Sequence, residues 1–350
     1  MKIAVLLSGG VDSSVALKLL KEQGHNLTAF YLKIWLEDEL SFLGKCPWEE
    51  DLEYARKVCK QFDVPLKVIS MQKEYFDNIV SYTISEIKNG RTPNPDIFCN
   101  KIIKFGLFLD KIDKKFEKVA TGHYAQITKK NETFLLKKTP DPIKDQTYFL
   151  ARLSQKQLSR AIFPIGNLTK QQVRDLAEQK KLPNKNRKDS QGICFLGKLK
   201  FDEFLKHYLD EQKGDLIEYE SKEKVGEHPG FWYFTIGQRK NIRLAGGPWY
   251  VVDKNPKKNQ IFISKKYHDP KKKRNKLEVA DFNWFEGKNP KQKNLQVKLR
   301  HGEHFYNCEI KYNKDSATIT LDADDQGIAP GQFAVFYDQE ICLGSAMIIK

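Results

Sequence analysis

Directly after the apolar N-terminal run stands Ser8-Gly9-Gly10-Val11-Asp12-Ser13-Ser14, a string whose residue types suit an anion. Two adjacent glycines let the backbone fold closely around phosphate oxygens, and hydroxyls together with the N–H groups of a helix start supply the donors. An acidic residue among those donors makes sense when a divalent ion stands between it and the phosphate, so Asp12 is a candidate Mg²⁺ partner. The string lacks the GxxxxGK-Ser/Thr pattern, which argues against a Walker-type kinase or GTPase. An ordinary glycine turn with a Ser or Asp cap is the plain alternative, and the position between a first strand and a first helix weighs against it.

Two cysteine-bearing loops form the second reactive set. Thr92-Pro93-Asn94-Pro95-Asp96-Ile97-Phe98-Cys99-Asn100 is a proline-set loop running into a helix, which presents Asp96 and Cys99 near a helix N-terminus. The partial positive charge there favours a thiolate, making Cys99 a candidate nucleophile and Asp96 a candidate acid/base, although a carboxylate in contact with the thiol opposes its ionisation. Arg187-Lys188-Asp189-Ser190-Gln191-Gly192-Ile193-Cys194-Phe195 joins cationic residues, a glycine and Cys194, a setting suited to carrying a persulfide. Either cysteine alone reads more readily as a structural thiol; together, beside a phosphate loop, they read as chemistry. Cys46, Cys59, Cys308 and Cys342 read as structural, and the six cysteines contain no CxxC pair or metal-ligand spacing.

The elements that must position these residues come in two styles. The first half alternates strands and helices, the signature of a parallel sheet with helices on both faces. Strands are expected at Lys2 to Leu7, Leu27 to Trp35, Leu66 to Ser70 and Lys118 to Thr121, and helices at Asp12 to Gln23, Trp48 to Lys60 and Glu74 to Lys88. Two more helices start with capping boxes, Ser154 with Gln157 and Thr169 with Gln172. After about residue 200 short alternating strands take over, at Phe231 to Ile236, Trp249 to Asp253 and Gln260 to Ser264. The Lys-rich stretch Lys265 to Lys276 reads as a link. Beyond it Leu295 to Arg300, Tyr306 to Tyr312, Ala317 to Leu321, Phe333 to Tyr337 and Leu343 to Ile349 predict a small antiparallel barrel. The expected domains are 1–200, catalytic α/β; 201–270, central and β-rich; and 271–350, the C-terminal barrel.

A chain of 350 residues suits such a division. Its formal charge of +15 suits a polyanionic partner, but Lys supplies 50 of the 60 basic residues, so charge alone leaves nucleic-acid binding at even odds. The apolar run Ile3 to Leu7 is shorter than the ~7–15 residues of a signal-peptide core, and no stretch approaches the ~20 apolar residues of a membrane span. The expectation is an intracellular protein without a membrane partner. Thr121-Gly122-His123-Tyr124 follows the fourth strand, where Gly122 can admit adenine against the backbone; His123 by itself reads as a satisfied loop histidine. Lys144-Asp145-Gln146 offers a cation, an acceptor and an amide, suited to RNA but by itself a polar turn.

SGGVDSS matches the loop of the ATP pyrophosphatase superfamily, whose members adenylate a substrate oxygen. RTPNPDIFCN, ATGHYA, KDQTYFL, KDSQGICF, TIGQRK and PGQFAVFY follow it in order, so that the chain closely resembles the bacterial and organellar tRNA-specific 2-thiouridylase family over nearly its whole length. The resemblance implies that ATP and Mg²⁺ activate O2 of the wobble uridine, that Cys194 carries sulfur as a persulfide, and that Cys99 completes release through a disulfide with Cys194. It assigns ATP to Leu6, Leu7, Ser8, Gly9, Gly10, Val11, Asp12, Ser13, Leu32 and Gly122. It assigns the target base to Asn94, Pro95 and Asp96, and tRNA contacts also to His123, Lys144, Asp145, Gln146, Arg300, His301 and Gln332. The implied partners are tRNAs for Lys, Glu and Gln and a persulfide donor, either a cysteine desulfurase or a relay protein; the implied location is the cytoplasm or an organelle matrix.

Three other readings compete. An amide-forming synthetase of the same superfamily needs an ammonia source, and no second enzymatic module is visible. A thiolase using an iron–sulfur cluster ordinarily shows a CxxC pair, yet Cys99, Cys194 and a third ligand leave a cluster open. A non-catalytic RNA-binding protein built on the β modules leaves the loop chemistry without a purpose.

Overall fold

The strand β1 (Lys2–Leu6) is apolar on both faces, and its alternate residues feed different cores: Ala4 and Leu6 one, Ile3 and Val5 the other. The computed structural model describes residues 1–34, 48–189, 201–267, 274–292 and 294–350, so Cys46 and Cys194 lie outside the described residues. After β1 come α1 (Val11–Glu22), β2 (Asn26–Lys33), α2 (Trp48–Gln61) and β3 (Leu66–Ser70). Helix α3 then runs through Gln72–Tyr75, a π-helical turn Phe76–Val80 and Ser81–Lys88, and α4 through Pro95–Phe98, a π-helical stretch Cys99–Leu107 and Phe108–Lys111. Strand β4 (Lys118–Ala120), the hairpin β5 (Gln126–Lys130) and β6 (Thr133–Lys137), α5 (Thr147–Leu150), α6 (Gln155–Arg160), β7 (Ala161–Ile162) and α7 (Lys170–Gln179) complete this half.

The sheet is parallel throughout, in the order β3-β2-β1-β4-β7. The chain builds outward from β1 in one direction through β2 and β3, and in the other through β4 and β7. The loops leaving β1 and β4 therefore part at a topological switch point, the crevice where such sheets bind ligands. Both capping boxes form. Ser154 Oγ accepts from the Gln157 N–H at 3.3 Å while Gln157 Oε1 accepts from the Ser154 N–H at 2.9 Å, and Thr169 with Gln172 repeats this at 3.3 and 2.8 Å.

The central module holds α8 (Phe201–Tyr208) and a sheet of β8 (Gly214–Glu218), β9 (Lys224–His228), β10 (Tyr250–Asn255) and β11 (Gln260–Ser264), ordered β10-β11-β8-β9. Phe231 to Ile236 is not the expected strand. Gly230 at φ 146° turns the chain into a 3-10 helix, Phe231–Tyr233, which buries Phe231 and Tyr233 without sheet pairing. The barrel is formed by β12 (Lys276–Trp284), β13 (Asn294–Lys298), β14 (Tyr306–Tyr312), β15 (Ser316–Leu321), β16 (Phe333–Asp338) and β17 (Ile341–Ile348). Their order, β12-β15-β14-β13-β16-β17, closes through β12 on β17, so six strands form it, one more than the sequence pattern shows.

The hairpin β5–β6 joins the barrel instead of the parallel sheet: Ile341 and Cys342 of β17 pair with Lys137 and Leu136 of β6. One hydrophobic core accordingly contains Leu6, Phe105 and Tyr148 together with Phe333, Val335 and Tyr337. Another joins Tyr75, Ile79, Cys99 and Ile103 to Phe204, Phe231, Val251 and Ile261 of the central module. Across the barrel junction, Lys298 is fully buried and its Nζ lies 3.1 Å from Asp145 Oδ2, which also accepts from Thr147 Oγ1 at 2.8 Å. Lys298→Met strands a buried carboxylate and should cost about 3–5 kcal/mol of unfolding free energy. Urea denaturation should show that loss, with partial recovery on adding Asp145→Asn; a loss under 1 kcal/mol, roughly that of an exposed pair, would contradict the junction role.

Candidate active site

The chain leaves β1 through Leu7 and enters α1 with Gly10 as its N-cap. Ser13 Oγ and Ser14 Oγ donate to the Gly10 carbonyl at 3.1 and 2.9 Å, and the Ser8 N–H donates to Ser13 Oγ at 3.3 Å. The loop is thus pre-folded with the first-turn N–H groups of a 12-residue helix available to an anion. Gly9 has φ +77°, and a Cβ there would stand 2.2 Å from the Asp51 carbonyl oxygen, so no other residue fits between the loop and α2. The Gly9 carbonyl accepts from Asn184 Nδ2 at 2.7 Å and Arg187 Nη1 at 3.1 Å. Arg187 is held in turn by Asp51 at 2.6 Å and by the Tyr54 ring, 4.7 Å from its centroid.

Gly122 closes the loop's other side. A Cβ on it would lie 2.6 Å from the Ser13 backbone nitrogen, so its glycine is demanded by the approach of β4's exit to α1. Leu32 lies at the C-terminal end of β2, two residues beyond the Phe30 that pairs with Leu6.

Charged side chains flank the loop in a continuous series. Lys170 Nζ lies 2.7 and 2.9 Å from the two oxygens of Asp12 and 2.8 Å from Asp189 Oδ1. The Tyr124 hydroxyl also donates to Asp12, at 2.9 Å. Asp189 is met by Lys144 at 2.7 Å and Arg174 at 2.5 Å. Burial pushes the Asp189 carboxyl up, but the hydrogen bonds from Lys144 and Lys170 outweigh it and hold the group well below the usual carboxylate range. Lys170, Arg174, Asn184 and Tyr124 were not singled out by the sequence reading. A signal existed for Lys170: it is the first residue after the Thr169 cap, at the start of a helix following a strand of the same sheet.

Asn94 caps α4, its Oδ1 accepting from the Ile97 N–H at 3.3 Å, and its Nδ2 donates to Gln332 Oε1 at 3.2 Å. Gln332 Nε2 donates to the carbonyls of Thr92 and Pro93 at 3.0 and 2.9 Å. The barrel turn at Pro330 to Gln332 therefore grips the loop that carries Pro95 and Asp96. Cys99 lies one turn further on, only 1% exposed, in the apolar core shared with the central module.

Lys144 stands half-buried on Asp189, while Asp145 is committed to Lys298 and Gln146 Oε1 accepts from the Tyr124 N–H at 2.9 Å. His301 faces Phe149 with ring centroids 4.7 Å apart and the rings tilted by 36°, and desolvation holds its imidazole below the ordinary pKa. Arg300 is half-exposed and paired with the buried Asp325. His123 Nδ1 lies 2.7 Å from Thr121 Oγ1, its ring between Phe105 and Phe163. Its desolvation, aided by Lys104, holds the imidazole well below its ordinary pKa. The structure thus brings Asp12, Lys170, Asp189 and Lys144 into one series of ion pairs; Cys194 lies outside the described residues. Among the described residues no three of His, Cys, Asp and Glu gather as a metal cluster, and no helix is long and apolar enough to cross a membrane.

Three family models match consecutive parts of the chain: a tRNA methyl transferase HUP domain over residues 1–198, a tRNA methyl transferase PRC-barrel domain over 202–265 and an aminomethyltransferase β-barrel domain over 274–348. The tRNA-specific 2-thiouridylase MnmA of Parabacteroides distasonis is 44% identical over 100% of this chain and 99% of its own length. The chain belongs to the tRNA-specific 2-thiouridylase family. A second relative, tRNA-specific 2-thiouridylase MnmA 1 of Bacteroides thetaiotaomicron, is 43% identical and is covered over its full length. Among solved structures, the U34-tRNA thiolase NcsA from Methanococcus maripaludis aligns over 56% of this chain and 62% of that one, at 21% identity and a TM-score of 0.35, too loose a likeness to argue from.

Two measurements follow from this family member's geometry. The His123 imidazole should remain neutral at pH 6.5, where an unperturbed histidine is half protonated; because the unfolded chain binds the proton that the folded one refuses, stability should fall as pH drops below that value. A native His123 resonance titrating at 6.5 would refute it. Cys99 in the native protein should be alkylated by iodoacetamide far more slowly than in urea, as read by peptide mass; equal rates would show that the thiol is already open.

Proposed function

We infer that this chain is an ATP-dependent tRNA 2-thiouridylase that adenylates O2 of the wobble uridine and exchanges that oxygen for sulfur, releasing AMP and pyrophosphate. The observation that carries the reading is the pre-folded phosphate loop with its charged series from Asp12 through Lys170 and Asp189 to Lys144. The helix that bears Cys99 meets the same half through Asn100, whose Nδ2 donates to the Phe149 carbonyl at 3.1 Å. A methyl transfer or a bare RNA-binding role has no use for that junction.

In this reading ATP lays its phosphates over the first turn of α1, with Ser8, Gly9, Gly10, Val11 and Ser13 around them. Leu6, Leu7, Leu32 and Gly122 line the remaining nucleotide site. Asp12 suits Mg²⁺ as a single hard carboxylate ligand, the usual arrangement when substrate phosphates and water fill the other positions. The bound ion would neutralise phosphate charge. Uridine O2 attacks Pα, the bond from Pα to the bridging oxygen breaks, and its electron pair leaves with pyrophosphate.

The terminal sulfur of a Cys194 persulfide then attacks C2 and AMP departs. The Cys99 thiolate attacks the Cys194 sulfur, forming a Cys99–Cys194 disulfide and releasing the thiocarbonyl; a thiol reductant must restore both cysteines. Asp96 stands at the start of Cys99's helix to move the proton. Cys99 must first be uncovered, and Asn94 and Gln332 hold the loop against which that opening works. Asp189, five residues before Cys194, anchors that segment's origin beside the phosphate loop. His123, kept neutral, offers a hydrogen bond without charge, and Lys144, Arg300 and His301 present the exposed polar surface for RNA. Asp145 and Gln146 act by shaping the Lys144 turn. The tRNAs are those for Lys, Glu and Gln, and the sulfur donor is a cysteine desulfurase or relay protein.

Purified protein with ATP, Mg²⁺, tRNA and a persulfide source should release AMP and pyrophosphate and raise the mass of an acceptor tRNA by one oxygen-to-sulfur exchange. Cys194→Ala should lose the exchange while retaining ATP-dependent tRNA binding. Unchanged tRNA mass with the intact protein would end the thiolase reading.

A further inference from the structure

We propose that Lys170 is a pyrophosphate-binding residue that changes partners during the reaction: its ammonium passes from Asp12 to the β- and γ-phosphates, and Asp12 would then be the carboxylate that holds a divalent ion. The proposal rests on the adenylation reading and deepens it.

Among the described residues four cations approach the phosphate loop, and their tethers differ. Arg187 is fixed by Asp51, the Gly9 carbonyl and the Tyr54 face. Arg174 donates to the carbonyls of Lys185 and Arg187, at 3.0 and 2.6 Å, as well as to Asp189. Each planar fork is held on several sides and cannot follow a ligand without breaking them all. Lys144 touches Asp189 but not Asp12. Lys170 alone among the four bridges a carboxylate of the loop and one outside it, with 15% of its side chain exposed.

Its backbone is immobile. Thr169 and Gln172 close the cap around it, and its own N–H donates to Asp141 Oδ2 at 2.9 Å. Its ammonium is held by Asp12, Asp189 and the Tyr124 ring face, but a compact ammonium on a four-carbon stem re-pairs more easily than a planar guanidinium. Without nucleotide, Asp12 would repel phosphate, and Lys170 cancels that charge at 2.7 Å. Asp12 would hold a divalent ion that accompanies ATP, and the ammonium that leaves it stands at the mouth of an anion site. Asp189 still holds it nearby. As the Pα–O bond breaks, negative charge accumulates on the leaving pyrophosphate, and a cation already in place lowers that barrier without a proton transfer.

The probe is inorganic pyrophosphate, titrated calorimetrically into the full chain with Mg²⁺, with AMP titrated in parallel. Lys170→Met should weaken pyrophosphate binding at least about tenfold, the worth of one charge-assisted contact, while AMP binding stays within about twofold. Lys170→Arg should retain most of the affinity. Without Mg²⁺, Asp12→Asn should bind pyrophosphate more tightly than the parent, and that gain should vanish when Lys170→Met is added. Unchanged pyrophosphate binding in Lys170→Met overturns the proposal, as does a gain in Asp12→Asn that survives loss of Lys170. Equal loss of AMP and pyrophosphate with a lowered Tm also overturns it, leaving Lys170 as a structural counter-ion. These titrations contain neither tRNA nor sulfur, so their failure leaves the thiolase test on tRNA mass standing, whereas an unchanged tRNA mass does not alter the pyrophosphate result.

Discussion

A fully buried ammonium needs its carboxylate, and the pairing of Lys298 with Asp145 is the contact that ties the barrel to the catalytic half. Asp145 sits next to Lys144, so the pair places that lysine against Asp189, which orients Lys170 toward Asp12 in the phosphate loop. The hairpin β5–β6 reinforces the junction by extending the barrel sheet from the catalytic half. Relative motion between the two would require breaking sheet hydrogen bonds, a mixed apolar core and a desolvated ion pair together. The barrel is therefore fixed against the half that carries the phosphate loop.

The phosphate loop shows a second constraint, charge balance before the substrate arrives. Asp12, Asp51 and Asp189 meet Lys170, Arg187, Arg174 and Lys144 at hydrogen-bonding distances. An anion site left with unopposed cations would collapse onto whatever anion was at hand, and one with unopposed carboxylates would repel ATP. Intramolecular pairing answers both, and the exchange of partners proposed for Lys170 would accompany nucleotide binding. Elsewhere, Gln332 and Asn94 fix a proline-set loop while Cys99 is covered in an apolar core, so the loop's anchoring and the thiol's burial depend on different contacts.

Much of the architecture was legible because its signals are local. Strand β3 matches its expected bounds, Leu66 to Ser70, and both capping boxes form because a hydroxyl and an amide three residues apart can each reach the other's backbone N–H. The misses have physical causes. Lys276–Trp284 lies between the lysine-rich link, read to Lys276, and the first expected barrel strand at Leu295; it forms a strand that closes the barrel. The β5–β6 hairpin has its mark in Asn131, at φ +53° in a two-residue turn, but its partner strand lies some two hundred residues away in β17. Phe231 to Ile236 alternates like a strand while using its aromatics to plug a module core.

The chemistry available to this chain was written in residue order: a glycine-serine loop with one aspartate after the first strand, a cysteine one turn into a proline-started helix, and a second cysteine beside Arg187 and Lys188. Those choices depend on backbone conformation and side-chain type within a few residues, which sequence states directly. Which groups face one another was decided only by the tertiary structure. Lys170 is far from Asp12 along the chain, and Gln332 is farther still from Asn94, so their contacts exist only once the sheet and barrel have closed. The same closure determined that Asp145 is a buried counter-ion, that Gly122 is needed for α1 to approach, and that Cys99 begins inside a core. Burial and pairing are properties of the whole packed chain, and no short stretch of sequence contains them.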